Sequence, residues 1–136
     1  MEDKKAVFIK ECEIMSDKLF DVMEMSFEDT NELDRQILSI LSFGMINAYA
    51  MEEKISVDVV SIAAEYVLIK VFKYSNEQAQ TFLRKMIEGT KKEKNPVYYH
   101  IIHQGIEMYY EYNKDEFDAM FDRIMKVYLL LKNSKR

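Results

Sequence analysis

The 136-residue sequence has one cysteine, one proline, three glycines and no tryptophan. A lone Cys12 excludes an internal disulfide and a cysteine-based zinc site, and it suits a reducing compartment. Gly44, Gly89 and Gly105 are too scattered to build a phosphate-cradling loop or a dinucleotide fingerprint. With so few helix breakers the chain is expected to form long regular segments. Long apolar runs are missing as well. No window approaches the ~20 apolar residues of a membrane span, and the opening MEDKKAVFIKECEIM carries acidic residues where a signal peptide would be apolar. The expectation is a cytoplasmic protein that neither enters nor crosses a membrane.

An excess of basic charge is also lacking. The net charge is −5, which argues against nucleic acid as a partner because phosphate contact needs clustered Lys and Arg. The charge is uneven: residues 1–34 carry 11 Asp and Glu against 4 Lys, a net −7, and the remainder is net +2. What the chain has in quantity is Met (10), Tyr (9) and Phe (8) within a hydrophobic fraction of 49%. That supply, in a chain of ordinary domain length, can bury roughly two-thirds of the unfolded surface.

Apolar residues recur at spacings of three and four throughout, which predicts an all-α single domain over residues 1–136, a bundle of about six helices with short connections. The first stripe, Phe8, Cys12, Met15, Leu19, Val22 and Met23, places a helix over Val7–Met25. A second begins after Thr30 and runs to about Met51, with Gly44 inside it as a sign of close helix contact. Ser56 is the expected cap of a third helix reaching Tyr74, apolar around most of its circumference and therefore expected at the centre. Ser75 and Gln78 have capping-box spacing for a fourth helix, which ends near Gly89. Asn95-Pro96 opens a fifth. Asn113 is the expected acceptor for a sixth, whose inward stripe reads Phe117, Met120, Phe121, Ile124, Tyr128 and Leu131.

Chemistry-bearing residues are sparse. His100, His103 and Glu107 lie on one helical face, but a metal site normally draws ligands from more than one element, so no metal is expected. Cys12 falls in an apolar stripe and reads as a small buried hydrophobe. No nucleophile, base and orienting acid are placed together, so no catalytic residue and no cofactor are assigned. The strongest charge signal is the acidic tract. Asp17, Asp21 and Glu24, preceded by Glu13 and continued by Glu28, Asp29 and Glu32, form a candidate negative surface that would steer a basic partner.

Three segments, FGMINAYAMEEKISVD, VFKYSNEQAQTF and NPVYYHIIHQGIEMYY, together resemble a family of small all-helical bacterial immunity proteins found beside polymorphic toxins, the one numbered forty-eight. The likeness spans about residues 43–110 and is carried by Phe43, Gly44, Asn47, Tyr49, Phe72, Tyr74, Ser75, Asn95, Pro96, His103 and Gly105. It implies a protein that binds and neutralises a cognate protein toxin. A toxin acting on nucleic acid would tend to be basic and would suit the acidic surface. Ser75, Asn95 and Pro96 are helix punctuation, and Phe43 and Phe72 look like core. Asn47, Tyr49, Tyr74 and His103 are left as a buried polar network or a lined cleft. Two other readings stay open: an enzyme or small-ligand binder with a polar pocket around Asn47 and His103, and a helical adaptor with no role in immunity.

Overall fold

The computed structural model describes residues 3–134 as α1 (Lys4–Val22), α2 (Glu32–Glu53), α3 (Val57–Lys70), α4 (Asn76–Glu88), α5 (Pro96–Asn113) and α6 (Phe117–Ser134), with a 3₁₀ turn over Phe27–Asp29. Among the described residues there is no strand, and no helix is long and apolar enough to cross a membrane.

Helix starts follow side-chain acceptors. The Ser75 hydroxyl accepts the Gln78 N–H at 3.1 Å while the Gln78 side chain accepts the Ser75 N–H at 3.0 Å, which satisfies two donors that a helix start leaves unpaired. Asn31 and Asp34 reciprocate in the same way at 2.8 and 3.0 Å, so Asn31 caps α2. Asn95 accepts from the Tyr98 N–H, with Pro96 in the first turn. Ser56 caps α3 without a side-chain bond. Asn113 is the last residue of α5 and does not cap α6.

Helix ends depart further from expectation. Helix α1 stops at Val22 rather than Met25 and α3 at Lys70 rather than Tyr74. The chain turns through left-handed residues that carry charge: Glu24 (φ 55°), Lys54 (φ 57°), Lys73 (φ 62°) and Asp115 (φ 55°). At the end of α1 the Met25 N–H bonds the Phe20 carbonyl and the Glu24 N–H bonds that of Asp21, the paired closure usually built on glycine. The α5 terminus repeats it, with Glu116 N–H on Glu111 and Asp115 N–H on Tyr112.

The centre of the bundle is α2, not α3. Every residue from Ile37 to Ile46 is buried, whereas Ile62 and Tyr66 of α3 are exposed. The small residues Ser39, Ser42 and Gly44 disguise α2 as polar while letting neighbours close in. Its most extensive partner is α5, and the two backbones meet at Gly44 and Gly105. A Cβ on Gly44 would fall on the Ile102 carbonyl oxygen and 2.8 Å from Gly105 Cα, and one on Gly105 would fall on the Leu41 carbonyl oxygen and 2.9 Å from Gly44 Cα. The other helices contribute Phe8, Cys12 and Leu19 from α1, Phe82 and Met86 from α4, and Met120, Ile124 and Val127 from α6 to the same core. Burial pushes the Cys12 thiol well above its ordinary pKa, which leaves it a packing group and not a nucleophile.

Tyrosines tie the helices together at the rim. The Tyr128 hydroxyl donates to Asp34 at 2.6 Å, joining α6 to α2; Tyr109 donates to Glu52 at 3.1 Å, joining α5 to α2; and Tyr74 donates to Glu32 at 3.2 Å. Arg123 of α6 grips Glu111 of α5 through two bonds of 2.9 and 3.0 Å and reaches Gln104 at 2.6 Å. Burial, followed by the charge of Glu32 and the bond to it, raises the Tyr74 phenol. Burial and then the Asp34 bond raise Tyr128, and Tyr109 is pushed up to about 12, chiefly by burial. A phenol whose pKa in the fold exceeds its unfolded value of about 10 stabilises the fold fully below pH ~10 and ceases to as pH climbs through the folded value. Melting temperature should therefore be level from pH 7 to about 9.5 and fall by roughly 10 °C or more by pH 11.5. Circular-dichroism melts check this: Tyr109→Phe with Tyr128→Phe should reduce the alkaline fall, and an equally steep fall in that double variant would remove these two tyrosines as its cause.

Candidate functional site

The acidic tract folds around a groove. Glu13, Asp17 and Asp21 stand at intervals of four along α1 and so share one face. Helix closure at Phe20 and Asp21 then swings the chain back, and the left-handed Glu24 brings Met25, Ser26, Phe27 and Glu28 over that face. The far wall is the end of α3, where Lys70, Val71 and Lys73 line the opening. The groove has a volume of about 710 Å³.

Its chemistry is two-sided. Asp17, Asp21, Glu24 and Glu28 are all exposed, so their charge faces solvent and acts at a distance. Lys73 is tethered by a 3.1 Å bond from its ammonium to the Lys70 carbonyl, while Lys18 approaches Asp21 at 4.0 Å. The base is apolar: Phe20 is buried, and Phe27 packs edge-on to it with ring centroids 6.5 Å apart. Half-buried Glu13 accepts a 3.3 Å bond from Tyr66 of α3, which fixes the two walls against each other. A groove with an apolar base and an acidic lip suits a basic, partly apolar protein surface.

The expected acidic set is divided by the fold. Glu13, Asp17, Asp21, Glu24 and Glu28 line this groove. Glu24 does so from the turn and not from the helix, where its expected position was. Asp29 is spent locally: its carboxylate accepts the Ser26 N–H at 3.1 Å and the Ser26 hydroxyl at 2.9 Å, and these bonds hold it below the usual carboxylate range. Glu32 faces a second groove of about 510 Å³, shared with Gln36, Tyr74, Gln78 and Tyr98, where it pairs with Arg35 and accepts the Tyr74 hydroxyl. The Arg35 guanidinium also lies over the Tyr74 ring, 5.2 Å from its centroid.

Asn47, Tyr49, Tyr74 and His103 do not come together. Asn47 spends its amide on the Phe43 carbonyl of its own helix at 2.6 Å. Tyr49 stacks on Phe8, with ring centroids 5.0 Å apart, and leans on Tyr109. Tyr74 is buried at the entry to α4 and packs edge-on to Phe82. His103 is exposed, with Nδ1 3.0 Å from the Tyr99 carbonyl and its ring 4.1 Å from that of Tyr99. These four share no hydrogen bond or ring contact among the described residues, so neither a network nor a common cleft unites them. Among the described residues no group of three or more His, Cys, Asp or Glu side chains is arranged to hold a metal ion. Lys70 and Lys73 entered the groove without notice from the sequence, because nothing in local spacing brings the end of α3 to α1.

A protein-family model described as Immunity protein 48 matches residues 8–129. The match takes in the whole acidic tract and most of the last helix, well beyond residues 43–110. No curated protein and no solved structure matches the chain.

Proposed function

Because the chain belongs to the immunity protein 48 family, we propose that it binds a cognate bacterial toxin in the cytoplasm and neutralises it by stoichiometric contact, without chemistry of its own. The observation that carries the surface assignment is the groove in which Asp17, Asp21, Glu24 and Glu28 ring an apolar base. A basic toxin would be steered there by long-range attraction and held by the apolar base, with either its active site occluded or its chain kept inactive. Lys70 and Lys73 on the far wall set the register, since a uniformly basic partner would meet repulsion on that side.

Co-expression with the toxin from an adjoining reading frame should restore growth, and purified protein should abolish toxin activity at a one-to-one ratio. Protection that persists at a small fraction of the toxin concentration would point to turnover and sink the stoichiometric reading. Failure to rescue growth against an adjoining toxin would remove the pairing.

A further inference from the structure

Helix α6 buries Met120, Ile124 and Val127 and leaves a second apolar stripe uncovered. Phe121, Met125 and Leu129 follow one another at intervals of four with 39%, 38% and 57% of their surface exposed. Leu33, from the first turn of α2, extends the patch and lines an open groove of about 540 Å³ with Met125 and Leu129. The expected inward role of Phe121 is not what the fold uses. This stripe shares no residue with the acidic groove.

The charges beside the stripe decide what fits on it. Asp118 and Asp122 lie toward the start of α6 and Lys126 and Lys132 toward its end, all exposed. None of the four forms an ion pair among the described residues. At 100° per residue Asp118 and Lys132 fall on the line of the stripe, and Asp122 and Lys126 fall together on one edge of it. A helix with this layout is complementary to itself when reversed. With two copies antiparallel and centred on Met125, Phe121 of each meets Leu129 of the other, Asp118 meets Lys132, and Asp122 comes alongside Lys126. A parallel pairing would set Asp118 on Asp118 and Lys132 on Lys132. We infer that α6 is a self-association surface through which two copies of this chain form an antiparallel, two-fold symmetric dimer. The interface is isologous, so each charge pair occurs twice. A stripe of about two helical turns is smaller than the ~800 Å² per partner of a stable dimer, so the dissociation constant should be on the order of 10 µM.

Sedimentation of the full chain across ~1 to 500 µM should show a reversible monomer–dimer equilibrium. Leu129→Glu, at a largely exposed position, should leave the thermal melt unchanged and weaken the dimer by about 30-fold or more. Asp118→Lys alone should weaken it by about 5-fold, and Asp118→Lys with Lys132→Asp should restore it, because the exchange returns opposite charges to both copies of the pair. A chain that stays monomeric over the whole range overturns the inference, as does a dimer indifferent to Leu129→Glu. So does a dimer that the charge exchange fails to restore.

Discussion

Gly105→Ala is expected to cost about 3–4 kcal/mol of stability and to lower the melting temperature by roughly 10–15 °C. In an open helix the same change would stabilise by about 0.5–1 kcal/mol, because alanine is the better helix former. The sign reverses here because the new methyl meets main chain. It would fall on the Leu41 carbonyl oxygen and 2.9 Å from Gly44 Cα, and neither can turn away as a side chain can. Relief requires α2 and α5 to separate, which opens the core around Leu41, Met45, Ile101 and Met108, all fully buried. Gly44→Ala should be comparably damaging, since its methyl would fall on the Ile102 carbonyl oxygen. The double variant should cost less than the two single costs together, because one separation of the helices accommodates both methyls. Chemical denaturation monitored by circular dichroism measures all three. A loss below ~1 kcal/mol for Gly105→Ala would mean that the helices do not cross backbone to backbone at this point.

The same crossing shows which parts of the fold were legible in the sequence. Gly44 inside an apolar stripe signalled close approach, and Ser75 with Gln78 and Asn95 with Pro96 marked two helix starts, because each cap is a local interaction, Ser75 with Gln78 and Asn95 with the Tyr98 N–H, between residues three apart. Helix ends were less legible for an equally physical reason. Glycine is the ordinary sign of a left-handed closing residue, and this chain closes with Glu24, Lys54, Lys73 and Asp115 instead. A charged residue at such a position reads as one more turn of solvated helix, so α1 and α3 were expected to run on.

The central position of α2 was hidden by Ser39, Ser42 and Gly44, which lower its apparent hydrophobicity and yet are what lets neighbours pack against it. Hydropathy alone favoured α3, whose apolar residues Ile62 and Tyr66 remain exposed. The acidic site was half legible. Its charge could be counted, but its division between two grooves depends on the turn at Glu24 and on the Ser26–Asp29 bonds. The tyrosine ties could not be read at all, since Tyr128 lies 94 residues from Asp34. Nor could Asn47, Tyr49, Tyr74 and His103 be separated beforehand, because spacing fixes a helical face but not which helix lies opposite it.

Reversing Asp17, Asp21 and Glu24 together to lysine is expected to slow association with the toxin by about 100-fold or more at low ionic strength, with a much smaller change in the dissociation rate. The change replaces three negative charges by three positive ones on one lip of the groove. That lip would then present the same sign as Lys70 and Lys73 on the far wall, leaving a basic partner no attractive approach. Stability should be little affected: all three side chains are exposed, the Lys18–Asp21 contact is a 4.0 Å surface pair of small worth, and lysine already occupies left-handed positions at 54 and 73. Salt separates steering from contact. Raising ionic strength from ~0.01 to 0.5 M shortens the screening length from about 30 Å to less than 5 Å, so native and variant rates should converge to within several-fold. A control with the same total charge, Glu88→Lys with Glu93→Lys and Glu107→Lys, changes exposed acids elsewhere and should slow association by no more than about 10-fold. Stopped-flow kinetics on the three proteins decides the matter. An unchanged rate in the groove variant at low salt, or an equal loss in the control, would move the toxin-binding surface away from α1.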